Sequence, residues 1–352
     1  RINTMKIAFI TNHLGQTGVN NVILDLVNLF LGNGHQCCVY YLKTTESPMP
    51  FPCDTKSIDH NISQYDIIHA HGLGPMLWVM RNKKKIKSKN IPTPKFVTTL
   101  HCYCWEDFTD TYSKVKGIIM SIIFLLTARS FDKIVALSKH MMHYYERWLP
   151  KERLTYAYNT RDIIKAELSE TEQQEILGFK GNSTLIGMNC VLLYRKGIDV
   201  MLKAMTLLPP HFKLFIAGDG KERETFESLT KQYQLEGRVY FAGNKPLAHR
   251  YLPYYDIYAL PSRSEGFPLS LLEAGFYKCK TVASQLPDIL ECYNEKEIKT
   301  FKMPSEEALK SAILEADKDE NLSENIYQSF INRSSPQVFY NTYHHIFNSL
   351  LQ

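Results

Sequence analysis

The chain has no C-x2-C pair and no Cys/His spacing suited to a zinc ion. Its eight cysteines, among them Cys37-Cys38 and Cys102-x-Cys104, therefore read as reduced thiols of a cytosolic protein, most of them buried as small apolar groups. Long hydrophobic runs are also missing. The longest, Gly117 to Ala128, falls short of the roughly 20 residues that cross a bilayer. No secretory signal follows Met5, which reads as the natural start. The first loop, Asn12 to Gly18, has only Gly15 and Gly18 where a dinucleotide site needs G-x-G-x-x-G, which argues against a nicotinamide enzyme.

What is present is ordinary for a globular protein of about two domains: 352 residues, 44% hydrophobic and 22% charged. The charge is uneven. Residues 1–160 hold 19 Lys and Arg against 11 Asp and Glu, whereas the remainder holds 22 against 25. Much of the excess lies in Arg81, Lys83, Lys84, Lys85, Lys87, Lys89 and Lys95. Such a run is either a solvated helix end or a patch for anionic lipid head groups or a phosphorylated acceptor. Nucleic acid is not the expected partner, since no binding module accompanies the patch.

Strands and helices alternate along the chain. Met5 to Thr11 reads as a buried strand, followed by the glycine-bearing loop and by Val19, Val22, Ile23, Leu26, Val27 and Phe30 at helical spacing. Asp66 to His71 and Lys95 to His101 are further strands that end in histidines. Open α/β sheets take ligands at the carboxyl edge, so His101 is well placed, while His35 is expected to pack at a turn. His69 and His71 point the same way and could hold a metal, but no third ligand is visible, so no metal is expected. The apolar segment Tyr112 to Ser130, flanked by Lys114, Lys116 and Arg129, is expected to be a long helix buried against the sheet, with contact to a membrane as the other reading. Residues 161–182, polar with few apolar anchors, read as a linker. A second series opens at Thr184, with strands at Leu185–Leu193, His211–Gly218, Val239–Gly243 and Ile257–Leu260. Strand-helix alternation at this spacing indicates parallel sheets covered on both faces.

The most informative stretch is Pro261 to Gly275, P-S-R-S-E-G-F-P-L-S-L-L-E-A-G. It leaves an apolar strand, turns, and enters a helix whose first turn is expected to hold Pro268. A helix start at a sheet edge suits a phosphate. Glu265 and Glu273 bracket it, and each is better suited to accept hydrogen bonds from hydroxyls than to meet a phosphate.

Glu265-Gly-Phe-Pro-Leu-Ser-Leu-Leu-Glu273 resembles the Glu-x7-Glu motif of the retaining, sugar-nucleotide-dependent glycosyltransferases (family 4, GT-B fold), and the resemblance extends over nearly the whole chain. It implies two Rossmann-like doubly wound α/β domains facing each other across a cleft, with a C-terminal helix crossing back. The implied boundaries are an acceptor-binding domain at 5–160, a linker at 161–182, a donor-binding domain at 183–334 and the returning helix at 335–352. Lys196, in Tyr194-Arg-Lys-Gly, matches the family's diphosphate-binding lysine. Glu265 would face the transferred sugar and Glu273 the ribose hydroxyls. Backbone groups of Gly266, Phe267, Pro268, Leu269 and Ser270 would meet sugar and phosphate, and the Gly243 region would meet the base. Gly18 matches the loop glycine at the donor diphosphate, and His101 the strand-ending histidine near the transferred sugar and acceptor. The family's second cation, an arginine about five residues before the lysine, is replaced here by Val191, and Arg195 is the candidate substitute.

The resemblance implies that a sugar passes from a nucleotide-diphosphate sugar, a UDP-sugar among the candidates, to a hydroxyl of a glycan or lipid-linked acceptor with retention and without a metal or other cofactor. The setting it implies is bacterial surface polysaccharide or glycolipid synthesis, in the cytoplasm, with peripheral contact at the inner face of the membrane through the basic first domain. The alternative is a catalytically inactive sugar-nucleotide-binding or scaffold protein of the same fold. It rests on the missing arginine and on Ala283-Ser-Gln-Leu-Pro-Asp-Ile-Leu, which stands where the family has two glycines before P-E-I.

Overall fold

The computed structural model describes residues 4–58, 62–87 and 93–352. The chain divides into two compact units, Arg1–Asp162 with Ser335–Gln352, and Ile163–Ser334. Each is a parallel α/β sheet with helices packed on it.

The first unit contains β1 (Lys6–Thr11), β2 (Gln36–Tyr41), β3 (Asp54–Ser57), β4 (Ile67–His71), β5 (Lys95–Leu100), β6 (Lys133–Ala136) and β7 (Leu154–Tyr156). They pair in the order β3-β2-β1-β4-β5-β6-β7, all parallel. Ile7, Phe9, Ile67, Ile68, Phe96 and Val97 are fully buried, as expected of strands covered on both faces. The order reverses between β1 and β4, and at such a switch point the loops leaving the strand ends part and open a crevice.

The final helix, Pro336–Leu351, belongs to this unit. Phe339, Tyr340, Tyr343, Ile346 and Phe347 are buried along one face. His35, given only a packing role above, anchors it: Nδ1 accepts from the Met5 N–H at 3.1 Å, and Nε2 lies 3.0 Å from the Tyr340 hydroxyl.

The second unit contains β8 (Thr184–Asn189), β9 (Phe212–Ala217), β10 (Val239–Gly243), β11 (Ile257–Leu260), β12 (Lys280–Ser284) and β13 (Lys299–Phe301). Their order, β10-β9-β8-β11-β12-β13, again reverses, here between β8 and β11. Its core joins Ile186, Leu214, Ile216, Ile257 and Val282 from the sheet to Ile198, Met201, Leu202 and Ile313 from the helices.

Three local expectations need correction. Residues 161–182 are not a linker throughout: the division between the units falls at Asp162/Ile163, but residues 170–180 form a helix of the second unit. Arg161 is buried against Asp25, and Ser169 with Glu172 makes a capping box for the helix Glu170–Lys180. That helix is held by Glu175, which accepts from Tyr240 at 2.6 Å and Lys245 at 2.9 Å. Pro268 precedes the helix Leu269–Phe276 as its N-cap residue and does not lie inside the first turn. The segment Tyr112 to Ser130 is not buried all round. The helices are Cys104–Thr111 and Lys114–Ala128, and the second covers the unit with only one face.

Candidate active site

The switch point of the second sheet gathers most of the candidate donor residues. After β8 the chain runs through Cys190 to Leu193 into a single 3-10 turn, Tyr194–Lys196, and then Gly197 starts the helix Ile198–Leu207. Gly197 has φ +69°, and a Cβ there would lie 1.8 Å from the Pro261 carbonyl oxygen, so only glycine permits this approach. The loop after β8 is thereby pressed against the loop after β11. Arg263 holds the two together: its guanidinium makes two 2.8 Å bonds to Asp199, donates to the Tyr194 carbonyl at 2.6 Å and stacks over the Tyr194 ring at 3.8 Å.

Between these loops, Lys196 Nζ donates to Glu265 Oε1 at 2.6 Å, and the Ser262 hydroxyl donates to the same oxygen at 2.6 Å. Ser262 is completely buried, and its carbonyl accepts from the Ser284 hydroxyl at 2.5 Å, which fixes it to the end of β12. Arg195 Nη1 stands 3.7 Å from Glu265 Oε2 and donates to the Ser264 carbonyl at 2.9 Å. One carboxylate thus faces two cations. Val191, the position where the resemblance leads one to expect arginine, is half exposed. Beside this group burial pushes the Cys190 thiol up to about 12, with Lys196 opposing and Glu265 adding to the rise.

Glu273 lies in the second turn of the helix Leu269–Phe276 and is partly buried. Burial raises the Tyr258 hydroxyl well above its ordinary value, and the charges of Glu273 and Glu265 both add to it. The two carboxylates of the motif therefore share one neighbourhood. Phe267 and Pro268 are buried, whereas Gly266, Leu269 and Ser270 are partly exposed.

The neighbouring loop is equally constrained. Gly218 would place a Cβ 1.8 Å from the Cys190 carbonyl oxygen, and its N–H donates to the Gly243 carbonyl at 2.8 Å. Gly243, at φ +76°, lies beside Arg223, which donates to the Phe241 carbonyl and pairs with Glu227 and Asp219.

The remaining two candidates belong to the first unit. Gly18 opens the helix Gly18–Gly32, with space around it where a side chain would go. Its loop is organised by Asn20, which is buried, accepts from Thr11 Oγ1 at 2.7 Å, and donates to the carbonyls of His13 at 2.8 Å and Gly15 at 2.6 Å. His101 follows β5, is partly buried, and places Nε2 2.9 Å from Nδ1 of the buried His71. His69 lies tilted against His71, with ring centroids 4.1 Å apart, and its Nε2 lies 2.8 Å from the Thr99 hydroxyl. Thr99 in turn meets the Tyr343 hydroxyl at 3.0 Å. Burial lowers His101 to about 4 and His69 to about 3, and sends His71 well below its usual value, so all three are neutral near pH 7. Among the described residues no three His, Cys, Asp or Glu are arranged to hold a metal ion.

Sequence reasoning missed Ser262, Arg263, Asp199, Asn20 and His71 as parts of these sites. Ser262 and Arg263 were visible next to Glu265, but nothing local states that one holds the carboxylate and the other clamps a loop distant in sequence.

Residues 169–333 match the family model described as glycosyl transferases group 1, and residues 47–164 match glycosyltransferase family 4. Along 99% of both chains the protein is 28% identical to an O-antigen biosynthesis glycosyltransferase, WclY, of Escherichia coli. It is 25% identical to a glycosyltransferase of Haemophilus influenzae across 55% of this chain and 53% of that one. Among solved structures, Anabaena HepE in complex with UDP and glucose superposes with a TM-score of 0.81 at 16% identity, covering 98% of this chain and 100% of the other. The lipopolysaccharide outer core galactosyltransferase WaaB gives a TM-score of 0.68 at 17% identity, covering 98% and 100%. These structures share the fold.

Proposed function

The chain is a glycosyltransferase of GT-B fold, and on that premise we propose that it moves a sugar from a nucleotide-diphosphate sugar, with retention, to a hydroxyl of a glycan or lipid-linked acceptor in surface polysaccharide synthesis. The observation that carries the reading is the ion pair Lys196–Glu265 with Arg195 beside it, at the switch point of the second sheet. Lys196 and Arg195 are the cations for the donor diphosphate. Charge grows on that group as the glycosidic bond breaks, and fixed cations in a cleft with little water stabilise it far more than they would in bulk solvent. Arg195 thereby takes the place of the arginine absent at position 191.

Glu265 turns toward the sugar and Glu273 toward the ribose hydroxyls, both as acceptors. Backbone groups of residues 266–270 complete the sugar and phosphate contacts, with Gly18 contributing N–H groups to the diphosphate and Gly243 a backbone edge to the base. His101, held neutral with one ring nitrogen fixed by His71, serves the sugar and acceptor side. The departing phosphate accepts the acceptor proton, so positioning and charge stabilisation supply most of the acceleration. The UDP bound to HepE and the name of WclY support a UDP-sugar donor and an O-antigen-type product.

The test is release of nucleoside diphosphate from UDP-, GDP-, ADP- and dTDP-sugars with and without glycan and lipid-linked acceptors. Nuclear magnetic resonance of the product then reads the anomeric configuration. Acceptor-dependent release from one donor, abolished in Lys196→Ala, is expected. Thermal stabilisation by a donor without turnover on any acceptor would overturn the transferase role, and an inverted anomer would overturn retention.

A further inference from the structure

Two neighbouring strand ends of the first unit carry a set of aromatic rings that the transfer chemistry above does not use. Tyr103 follows His101 by two residues, so its Cα lies within about 7 Å of the Cα of that histidine. It precedes the helix Cys104–Thr111, while the helix Lys139–Tyr145 opens after β6 with Ser138 as its cap. The Tyr103 ring joins the two helices. Its centroid is 4.9 Å from that of Tyr144, edge to face, and 6.0 Å from that of His140. Tyr144 continues to Trp148 at 5.1 Å, and Trp148 to Trp105 at 5.9 Å. Ligands bind at the carboxyl edge of a parallel sheet, and this set of rings starts there.

Tyr145 is the structural member of the group. It is fully buried, and its hydroxyl donates to the Cys102 carbonyl at 2.6 Å and accepts from the Cys104 N–H at 3.1 Å, which fixes the loop that carries Tyr103. Asp107 adds a bond from the Tyr103 N–H at 2.9 Å. The other rings are placed differently. Tyr103, Trp105, Tyr144 and Trp148 are only half buried, and His140 is exposed. Rings held this firmly and still open to water have little freedom left to lose when a partner binds.

The polar groups among the rings decide the partner. Glu106 and Asp107 stand in the first turn of the helix Cys104–Thr111, so the positive end of its dipole already faces two carboxylates and does not invite a phosphate. A hydrocarbon chain fits no better, because carboxylates and an imidazole stand beside the rings where aliphatic side chains would be needed. A pyranose meets both conditions: its C–H face packs on an aromatic ring, and its hydroxyls bond to carboxylates and imidazoles around the rim. Glu106 is exposed and ready for such a hydroxyl. Its Oε2 accepts from the Tyr144 hydroxyl at 2.6 Å, and its Oε1 has no partner among the described residues.

We propose that Tyr103, Tyr144 and Glu106 form a subsite for a sugar ring of the acceptor, beside the residue that receives the transferred sugar at His101, so that the acceptor is recognised as an oligosaccharide of at least two residues. Tyr103 and Tyr144 supply the stacking surface, and Glu106 takes a hydroxyl of the same ring. The inference rests on the reading of His101 as an acceptor-side residue and adds the chemical class of what binds next to it.

The experiment compares the methyl glycosides of glucose, galactose and N-acetylglucosamine with their di- and trisaccharides. Binding to the whole chain is followed by tryptophan fluorescence with UDP present, and transfer by initial rates with the sugar nucleotide that supports turnover. At least one oligosaccharide should bind about tenfold more tightly than its monosaccharide. Tyr103→Ala should raise the acceptor KM of that oligosaccharide about tenfold with kcat nearly unchanged, and Tyr103→Phe, which keeps the ring, should restore it. Glu106→Gln, at an exposed position, should raise the same KM severalfold with its melting temperature unchanged, and it decides the matter where Tyr103→Ala does not fold. Equal affinity for monosaccharides and oligosaccharides, or no saccharide binding at all, overturns the subsite, as does a Tyr103→Ala effect confined to kcat. Inhibition by a sugar-free polyprenyl phosphate that Tyr103→Ala relieves assigns the rings to a lipid instead. Oligosaccharide binding without transfer upholds the subsite and removes the transferase reading, whereas transfer to monosaccharides and oligosaccharides with the same KM removes the subsite alone.

Discussion

Glu265 accepts from both Lys196 and Ser262 at one oxygen, each across 2.6 Å, while its other oxygen faces Arg195 at 3.7 Å. A carboxylate so placed competes with a donor phosphate for the same cations. Glu265→Gln should therefore bind nucleoside diphosphate several-fold more tightly while turning over at least about tenfold more slowly. Calorimetric titration and initial rates measure the two effects, and weaker nucleotide binding in this variant would contradict the arrangement.

Lys196→Ala removes a fixed cation from the leaving group and should lower kcat by about a hundredfold or more, since single preorganised donors contribute on that scale. Arg195→Ala should lower kcat by about tenfold, and Arg195→Lys by less, because the arginine stands farther from Glu265 than the lysine does. Steady-state kinetics at saturating donor decide this, and normal kcat in Lys196→Ala sinks the assignment.

Gly197→Ala forces a Cβ into the Pro261 carbonyl and an L-residue into φ +69°. The expected cost is about 2–3 kcal/mol of stability together with loss of donor binding, because the loops after β8 and β11 must separate. Chemical denaturation and nucleotide titration report both, and a variant with unchanged stability would show that the close approach is dispensable.

The histidine array makes the first unit sensitive to acid. His69, His71 and His101 all have folded-state values below the ordinary 6.5, so the unfolded chain binds more protons across that window. Their stabilising effect is complete above pH 6.5 and is lost progressively as pH falls from there, through about 4 for His101 and about 3 for His69. A single shift like that of His101 is worth on the order of 3 kcal/mol. Urea unfolding between pH 7.5 and 4.5 should show a falling midpoint, with a shallower fall in His71→Gln. That variant should also change the pH profile of turnover, because His101 loses the partner of its Nε2.

Tyr340→Phe removes the hydroxyl bonded to His35 and should destabilise the first unit by about 1 kcal/mol. His35→Ala removes the Met5 contact as well and should cost about 2 kcal/mol. Thermal melts of the two variants and of the double variant measure the coupling. Additive losses would place Tyr340 and His35 in separate contacts.

The parallel α/β class, most strand positions and the Glu265–Glu273 stretch were legible in the chain, because strand burial and helix periodicity are written in consecutive residues. Ser169-x-x-Glu172 was legible too, yet the polar residues around it read as a linker until their tertiary partners, Tyr240 and Lys245, were in place. The exposure of Val115, Ile119 and Leu126 on the helix Lys114–Ala128 was left unsettled by the chain for the opposite reason. Apolar residues on all sides of a helix say that burial is favourable, but they do not say how many faces the neighbours cover.

The sequence by itself determined the two α/β series, the glycines at 197 and 218, and the chemical types at the donor loops. Only the tertiary structure decided that Arg195 stands with Lys196 on Glu265, that Ser262 and Arg263 hold that group, and that His71 backs His101. These relations join loops that follow different strands of a sheet. Strand order and register set their distances, and neither is encoded in any one segment.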